Sequence, residues 1–378
     1  MNENPLQKLC ALGQSVWLDY MRRDLYTSGE LARLIREDGL RGMTSNPTIF
    51  QKAIATTDLY ADQIQLAARE GKDPAAIFED LAVEDVRRAA DELRSVYDSA
   101  GGNDGFVSIE VRPELAHDTE GSIVEARRLW KACGRPNVMV KIPSTTEGLP
   151  AIRRCLAEGI PINITLLFSV ARYREVMEAF LSGFEERVAA GEPVDRLRSV
   201  ASFFVSRVDA NVDKKLDQIA KEGLSEEQRG LARGLRGKLA IANAKIAYQA
   251  FHEVFSGARF RALAARGVRL QRPLWASTST KDPAYSALYY VEALVAPDSV
   301  DTMPPETLKT YREHGDPRVR IDEDLAGAHA AFRQLGELGI DEEGVFRDLE
   351  VEGVRKFTDS YDAVLQSIQE RLKALTPA

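Results

Sequence analysis

The chain has 378 residues, of which 44% are hydrophobic and 29% charged, which excludes a disordered or fibrous class and leaves room for one elaborated barrel or two ordinary domains. Its net charge of -8, with basic residues interspersed among acidic ones, argues against a broad nucleic-acid surface while leaving local anion sites open. Cys10, Cys133 and Cys155 lie far apart without metal-ligand spacing. Met1 to Gln7 is no basic-then-apolar leader and no run is apolar for long enough to cross a bilayer, so a cytoplasmic protein without disulfides or a membrane partner is expected.

Short apolar runs with strand character recur along the chain. They lie at Ser15 to Tyr20, Gly42 to Asn46, Gly105 to Val111, Val138 to Pro143, Ile162 to Phe168, Val200 to Val208, Pro273 to Thr278 and Tyr289 to Val295. Helical patterns separate most of them. After the first run, Thr27 followed three residues later by Glu30 predicts a capping box, Leu31, Leu34 and Ile35 mark an apolar face, and Gly39 marks the stop. Similar signals predict helices at Thr119 to Ala132, at Thr146 to Glu158 before Gly159, and at Ser169 to Ala190 before Gly191. Lys214 to Phe260 predicts extra helices between the sixth and seventh strands. In the stretch from Glu337 to Leu375, Val354, Phe357, Tyr361, Val364, Ile368 and Leu372 recur at helical spacing, which predicts an amphipathic extension. With no Pro/Gly/Ser-rich linker and no short repeat, residues 1–378 read as a single α/β domain. Eight strands alternating with helices favour a closed (β/α)8 TIM barrel over an open doubly wound sheet.

Polar residues gather near the carboxyl ends of these strands, where a barrel of this kind carries its chemistry. The first strand ends with Asp19 and the second with Asn46. The third carries Glu110, the fourth Lys141, the fifth Asn163 and Thr165, the sixth Ser202 and Arg207, and the seventh Ser277. Each has an ordinary alternative: Asp19 or Glu110 as a cap or structural ion pair, Asn46 as the residue a turn places before proline, Arg207 as a partner of Asp209. Asn137 to Pro143 is the most informative run, because it reads as a buried strand that keeps an amine. Burial lowers a lysine's pKa and favours the neutral, nucleophilic form, whereas a lysine that snorkels out at the strand end would be structural. Interruption of several apolar strands at comparable depth favours a shared polar pocket.

Gly42-Met43-Thr44-Ser45-Asn46-Pro47-Thr48-Ile49-Phe50 and Val140-Lys141-Ile142-Pro143-Ser144-Thr145-Thr146-Glu147-Gly148 resemble the two signature segments of transaldolase. Pro161 to Ser169, Ala201 to Asp209, Trp275 to Lys281 and Val300 to Thr307 extend the likeness in the same order. The resemblance implies a single (β/α)8 barrel that moves a dihydroxyacetone unit between sugar phosphates in the pentose phosphate pathway. The extended tail is similar to the longer bacterial and plant-type branch. Carried over by matching positions, Lys141 is the Schiff-base lysine and Asp19 the acid/base, while Glu110 and Thr165 hold a proton-relaying water. Asn46, Asn163 and Ser202 bind the dihydroxyacetone hydroxyls, and Arg207 and Ser277 hold the phosphate. Many members place a second arginine two residues after that serine. Ser279 stands there instead, and Lys281 is the residue on which the missing charge is placed. No organic cofactor is implied, because the lysine is itself the electron sink.

Competing classes are weighed on the same residues. An aldolase releasing free dihydroxyacetone, or cleaving a deoxysugar phosphate, shares the lysine and differs in the fate of the enamine; Thr44 to Pro47 and Asn163 to Thr165 favour transfer. A metal-dependent aldolase has only His117, His252, His314 and His329 to draw on, none with paired ligand spacing, and no metal is expected. Gly237-Lys238 lacks a phosphate-loop pattern. A scaffold barrel that had lost catalysis would be expected to lack Lys141 or Asp19, and both are present. The sequence leaves monomer and homodimer open.

Overall fold

The computed structural model describes residues 4–222 and 225–375. Eight parallel strands close into a barrel in sequence order: β1 (Gln14–Asp19), β2 (Gly42–Thr44), β3 (Phe106–Glu110), β4 (Val138–Pro143), β5 (Ile162–Leu167), β6 (Ser199–Phe204), β7 (Arg272–Ala276) and β8 (Ser299–Met303). β1 pairs with both β2 and β8, which completes the ring. β4, β5 and β6 are buried along their whole length, as strands covered by helices outside and side chains inside must be. This is the (β/α)8 architecture that the alternation of elements predicts.

Register decides which residues meet inside. Glu110 pairs with Lys141 and Lys141 with Asn163, while Asp19 pairs with Thr44 and Pro143 with Thr165. Residues in register share a face, so these polar groups form one layer toward the carboxyl end of the barrel. Nearer the opposite end, Trp17 packs over Gly42, where a Cβ would lie 2.4 Å from the indole; only glycine admits that ring. Arg272 donates to Ser15 Oγ at 2.6 Å and pairs with Asp104 at 3.3 Å, and Trp17 Nε1 donates to Asp104 at 3.0 Å. A bonded ionic plug therefore closes that end and leaves the other for chemistry.

Three local expectations are corrected. Tyr289 to Val295 is not the eighth strand: Tyr289–Ala293 is helical and β8 follows it. The buried residues Tyr290, Val291, Leu294 and Val295 fall at helical spacing, and a short aromatic and β-branched run does not separate the two periods. The sixth strand stops at Phe204, and Ser206–Glu222 is a helix, so Arg207 stands on a helical first turn rather than on a strand. Thr27 makes no capping box. It closes a short helix, Asp24–Thr27, and Gly29 at φ 77 separates that turn from Glu30–Asp38. Gly39 ends the latter in the left-handed region as expected, at φ 69.

Four helices, Ser206–Glu222, Glu226–Leu235, Leu239–Phe255 and Ala258–Ala264, fill the interval between β6 and β7. The extension is one long helix, Glu342–Leu375, and it runs across the carboxyl end of the barrel. Gly353 packs on Leu166 beyond Thr165, the Thr48 and Ser360 hydroxyls lie 2.8 Å apart, and Tyr361 sits edge-on to Phe78 at 5.6 Å. Farther along, Arg371 donates to the carbonyls of Ile54 at 3.0 Å and Thr57 at 2.5 Å. No helix among the described residues is long and apolar enough to cross a membrane.

Candidate active site

A cavity of about 1030 Å³ opens at the carboxyl end of the strands. Asp19, Asn46, Lys141, Thr165, Ser202, Arg207, Ser277 and Lys281 all line it. Glu110 and Asn163 stand one step behind. Asn163 accepts from Ser202 Oγ at 2.6 Å and donates to Ser108 Oγ at 2.9 Å, so it positions a wall residue instead of forming the wall.

Lys141 is 5% exposed. Its Nζ donates to the Ser45 carbonyl at 3.2 Å and faces Glu110 Oε2 at 3.5 Å. Burial pushes the Glu110 carboxyl up to about 7, with Lys141 the main opposing influence, so this carboxyl exchanges its proton near neutral pH. Glu110 Oε1 and Thr165 Oγ1 are buried and make no hydrogen bond to protein among the described residues. Thr165 lies beside an irregularity in β5: the register with β6 shifts between Ile164 and Leu167, and Leu166 adopts φ 57. Bulges of this kind re-aim side chains at barrel rims.

On the facing wall, Asp19 Oδ1 accepts from Thr44 Oγ1 at 2.7 Å, and Thr44 Oγ1 lies 2.7 Å from Thr302 Oγ1. Burial raises the Asp19 pKa, against the Thr44 hydrogen bond and the charges of Lys141, Lys281 and Arg207. Asn46 caps helix Pro47–Thr56 by accepting from Ile49 N at 3.1 Å. That contact spends its oxygen and leaves its amide donors.

The remaining cations gather around β6 and β7. Arg207 lies over the Phe204 ring at 5.2 Å, and burial lowers its pKa. Ser277, just past β7, holds φ 57, a strained value for a serine. Its hydroxyl is 2.9 Å from Ser206 Oγ. Lys281 Nζ donates to Ser279 Oγ at 2.6 Å, and burial followed by the Arg207 charge lowers its pKa. Among the described residues lining the cavity, Arg22, Lys52, Lys141, Arg207 and Lys281 outnumber the two carboxylates Asp19 and Glu306, while Asp24 pairs with Arg22 and Glu110 with Lys141 from behind the wall. An acidic protein thus carries a locally cationic pocket.

Four contributors escaped the sequence reading: Thr44, the Ser45 carbonyl, Thr302 and Phe357, whose ring centroid lies 5.9 Å from Lys141 Nζ. Thr44 precedes Asn46 by two residues, the strand period that would have put it inside. Thr302 was hidden by the misplaced eighth strand. Among the described residues, no group of three or more His, Cys, Asp or Glu side chains is arranged to hold a metal ion.

The profile of the Transaldolase/Fructose-6-phosphate aldolase family matches residues 16–368. A protein from Saccharopolyspora erythraea named Transaldolase is 49% identical over 97% of each chain. One from Frankia alni with the same name is 47% identical over 98% of each, and one from Trichodesmium erythraeum is 43% identical over the whole of both. A lysine beneath a cationic cavity, on a closed eight-stranded barrel matched along nearly its full length, leads to one assignment: this chain belongs to the transaldolase/fructose-6-phosphate aldolase family.

Proposed function

We propose that this protein acts as a transaldolase through a Schiff base on Lys141, carrying a dihydroxyacetone unit from fructose 6-phosphate or sedoheptulose 7-phosphate to erythrose 4-phosphate or glyceraldehyde 3-phosphate. The observation that carries the residue assignment is a buried amine 3.5 Å from a carboxyl that titrates near 7, opening on a cation-rich cavity. The Lys141 amine attacks the ketose carbonyl, and loss of water gives an iminium. Glu110 and Thr165 hold the water that shuttles protons in this step, a role their unpartnered atoms suit. Asp19, poised by Thr44, takes the proton from the C4 hydroxyl. The C3–C4 bond then breaks, its electron pair passes to the iminium, and the aldose phosphate leaves an enamine on Lys141. A new aldose adds to the enamine carbon, Asp19 returns the proton, and hydrolysis frees the new ketose and the amine. Asn46 and Ser202, the latter held by Asn163, bind the hydroxyls of the three-carbon unit. Arg207 and Ser277, with Lys281 in place of a second arginine, hold the phosphate. Residues 1–378 work as one barrel domain, in the non-oxidative pentose phosphate pathway of the cytoplasm, where three free thiols fit a reducing compartment.

The test is borohydride reduction after incubation with fructose 6-phosphate, with and without erythrose 4-phosphate. The expected result is a three-carbon adduct on Lys141, absent from Lys141→Met and depleted by the acceptor as a seven-carbon ketose phosphate forms. An adduct on another residue overturns the assignment of Lys141, and free dihydroxyacetone without transfer favours the aldolase reading.

A further inference from the structure

We infer that Phe357 of the C-terminal helix is a positioning and shielding residue that keeps water from the enamine on Lys141, and so biases the enzyme toward transfer over release of free dihydroxyacetone. This rests on the Schiff-base reading above. Phe357 is only 7% exposed, yet it lines the cavity, with its ring centroid 5.9 Å from Lys141 Nζ. By residue the surrounding wall is mostly hydroxyls and charges, and the other phenylalanine on it, Phe204, lies against Arg207, so Phe357 is the apolar ring at the reacting amine. Its position is fixed one turn away on either side. Toward the N-terminus Gly353 fits against Leu166 and Phe168 with no room to spare, because an added Cβ would already lie 3.0 Å from Leu166. Toward the C-terminus Tyr361 packs on Phe78, and Ser360 meets Thr48.

The enamine has two fates. Its nucleophilic carbon forms a carbon–carbon bond to an aldose, or it takes a proton. In the second case the iminium returns, water adds to it, the carbon–nitrogen bond breaks, and dihydroxyacetone leaves with Lys141 as the free amine. That route needs a proton donor and a water beside the bound carbons. An apolar ring at this distance displaces solvent there without offering a donor, while the cationic side of the cavity stays open for an aldose phosphate. The ring also limits the orientations of the three-carbon unit to those in which its carbon faces the incoming aldehyde.

The measurement is the ratio of free dihydroxyacetone to transferred product at fixed fructose 6-phosphate and erythrose 4-phosphate, in wild type, Phe357→Ala, Phe357→Leu and Ile368→Ala. We expect Phe357→Ala to raise the ratio by about tenfold, corresponding to a relative barrier change of about 1.4 kcal/mol, while the borohydride adduct on Lys141 still forms. Phe357→Leu, which keeps apolar cover, should stay near wild type. Ile368→Ala loosens the same helix about three turns from Phe357, at a fully buried position, and should lower Tm without moving the ratio. An unchanged ratio in Phe357→Ala overturns the inference, as does an equal rise in Ile368→Ala. Should Phe357→Ala not fold, Phe357→Thr, which is smaller and carries a hydroxyl, carries the same test with the same two outcomes. Failure of wild type to form any adduct on Lys141 overturns the Schiff-base reading itself, which separates the two failures.

Discussion

Replacement of Arg207 by alanine separates phosphate recognition from catalysis. Among the described residues its guanidinium makes no hydrogen bond or ion pair; Glu352 and Asp19 are the carboxylates whose charge it feels. Its fork of donors is therefore available to an anion, on a wall shared with Ser277 and Lys281. A bidentate arginine–phosphate contact comprises two charge-assisted hydrogen bonds, each contributing about 1.5–3 kcal/mol. With Lys281 and Lys52 left in the pocket, the lower end applies. The expected loss is about 3 kcal/mol, or roughly a hundredfold in kcat/KM, carried mainly by KM. Arg207→Lys keeps the charge and loses the fork, so about a tenfold loss is expected. The assay compares kcat/KM for glyceraldehyde 3-phosphate with that for unphosphorylated glyceraldehyde as acceptors. In a ping-pong scheme this parameter does not depend on the donor half-reaction. The preference for the phosphorylated acceptor should fall about a hundredfold in the alanine variant, with glyceraldehyde use nearly unchanged. Equal losses for both acceptors, or no loss for either, would refute the assignment.

Thr44→Val removes the 2.7 Å donor that holds the Asp19 pKa down against burial. Asp19 should therefore titrate higher still, and the acid limb of the kcat/KM profile should move to higher pH; an unmoved limb argues against Asp19 as the base. Glu110→Gln should lower kcat by about 10²–10⁴-fold and erase the inflection near pH 7 expected from Glu110 in wild type. An inflection that persists belongs to another group. Asp301, on β8 and fully buried, is pushed up to about 7 from an ordinary 3.8, opposed only by the Thr278 hydrogen bond at 2.9 Å. Between those values the folded protein holds a proton that the unfolded chain has lost. Stability therefore falls as pH rises through that window and levels above it at a penalty of about 4 kcal/mol. Asp301→Asn has no charge to bury. Its Tm relative to wild type should rise as pH increases from the ordinary 3.8 toward about 7 and level off above that, and a constant difference would mean that Asp301 is not raised.

The fold was legible where burial and period agree. β4 and β5 are apolar, β-branched and short, bounded by turn residues, and no helix of that length would hide so much surface. β8 fails that test because its central residue is Asp301, a buried carboxyl that pattern reading takes for a break. The neighbouring run from Tyr289 supplied a more strand-like composition, and its helical burial emerges only from tertiary contacts, with Tyr290 donating to Asp209 on the helix Ser206–Glu222 and Tyr289 to the Gly237 carbonyl. Arg207 lines the cavity but stands on a helix rather than on the expected strand, because Val200 to Val208 has no sequence mark at Val205 to show where the strand ends.

The site was legible in proportion to how far each residue offends its surroundings. Lys141, Asp19 and Thr165 are polar groups inside barrel strands, so their cost under packing alone marks them. The same criterion cannot rank them by depth. Glu110 and Asn163 offend equally and share a register layer with Lys141, yet they stand behind Lys141 and Ser202, and only the packing of the side chains reveals which polar residue faces the cavity. Phe357 is the opposite case. On an amphipathic helix a phenylalanine at the buried spacing is what packing asks for, so its sequence position carries no functional mark. Its role arises from geometry between distant segments: Gly353 must fit Leu166, and Leu166 lies where it does because β5 bulges after Thr165. The irregularity beside Thr165 thus also seats the turn of helix that carries Phe357 near the Lys141 amine, and no local pattern in either segment encodes that coincidence.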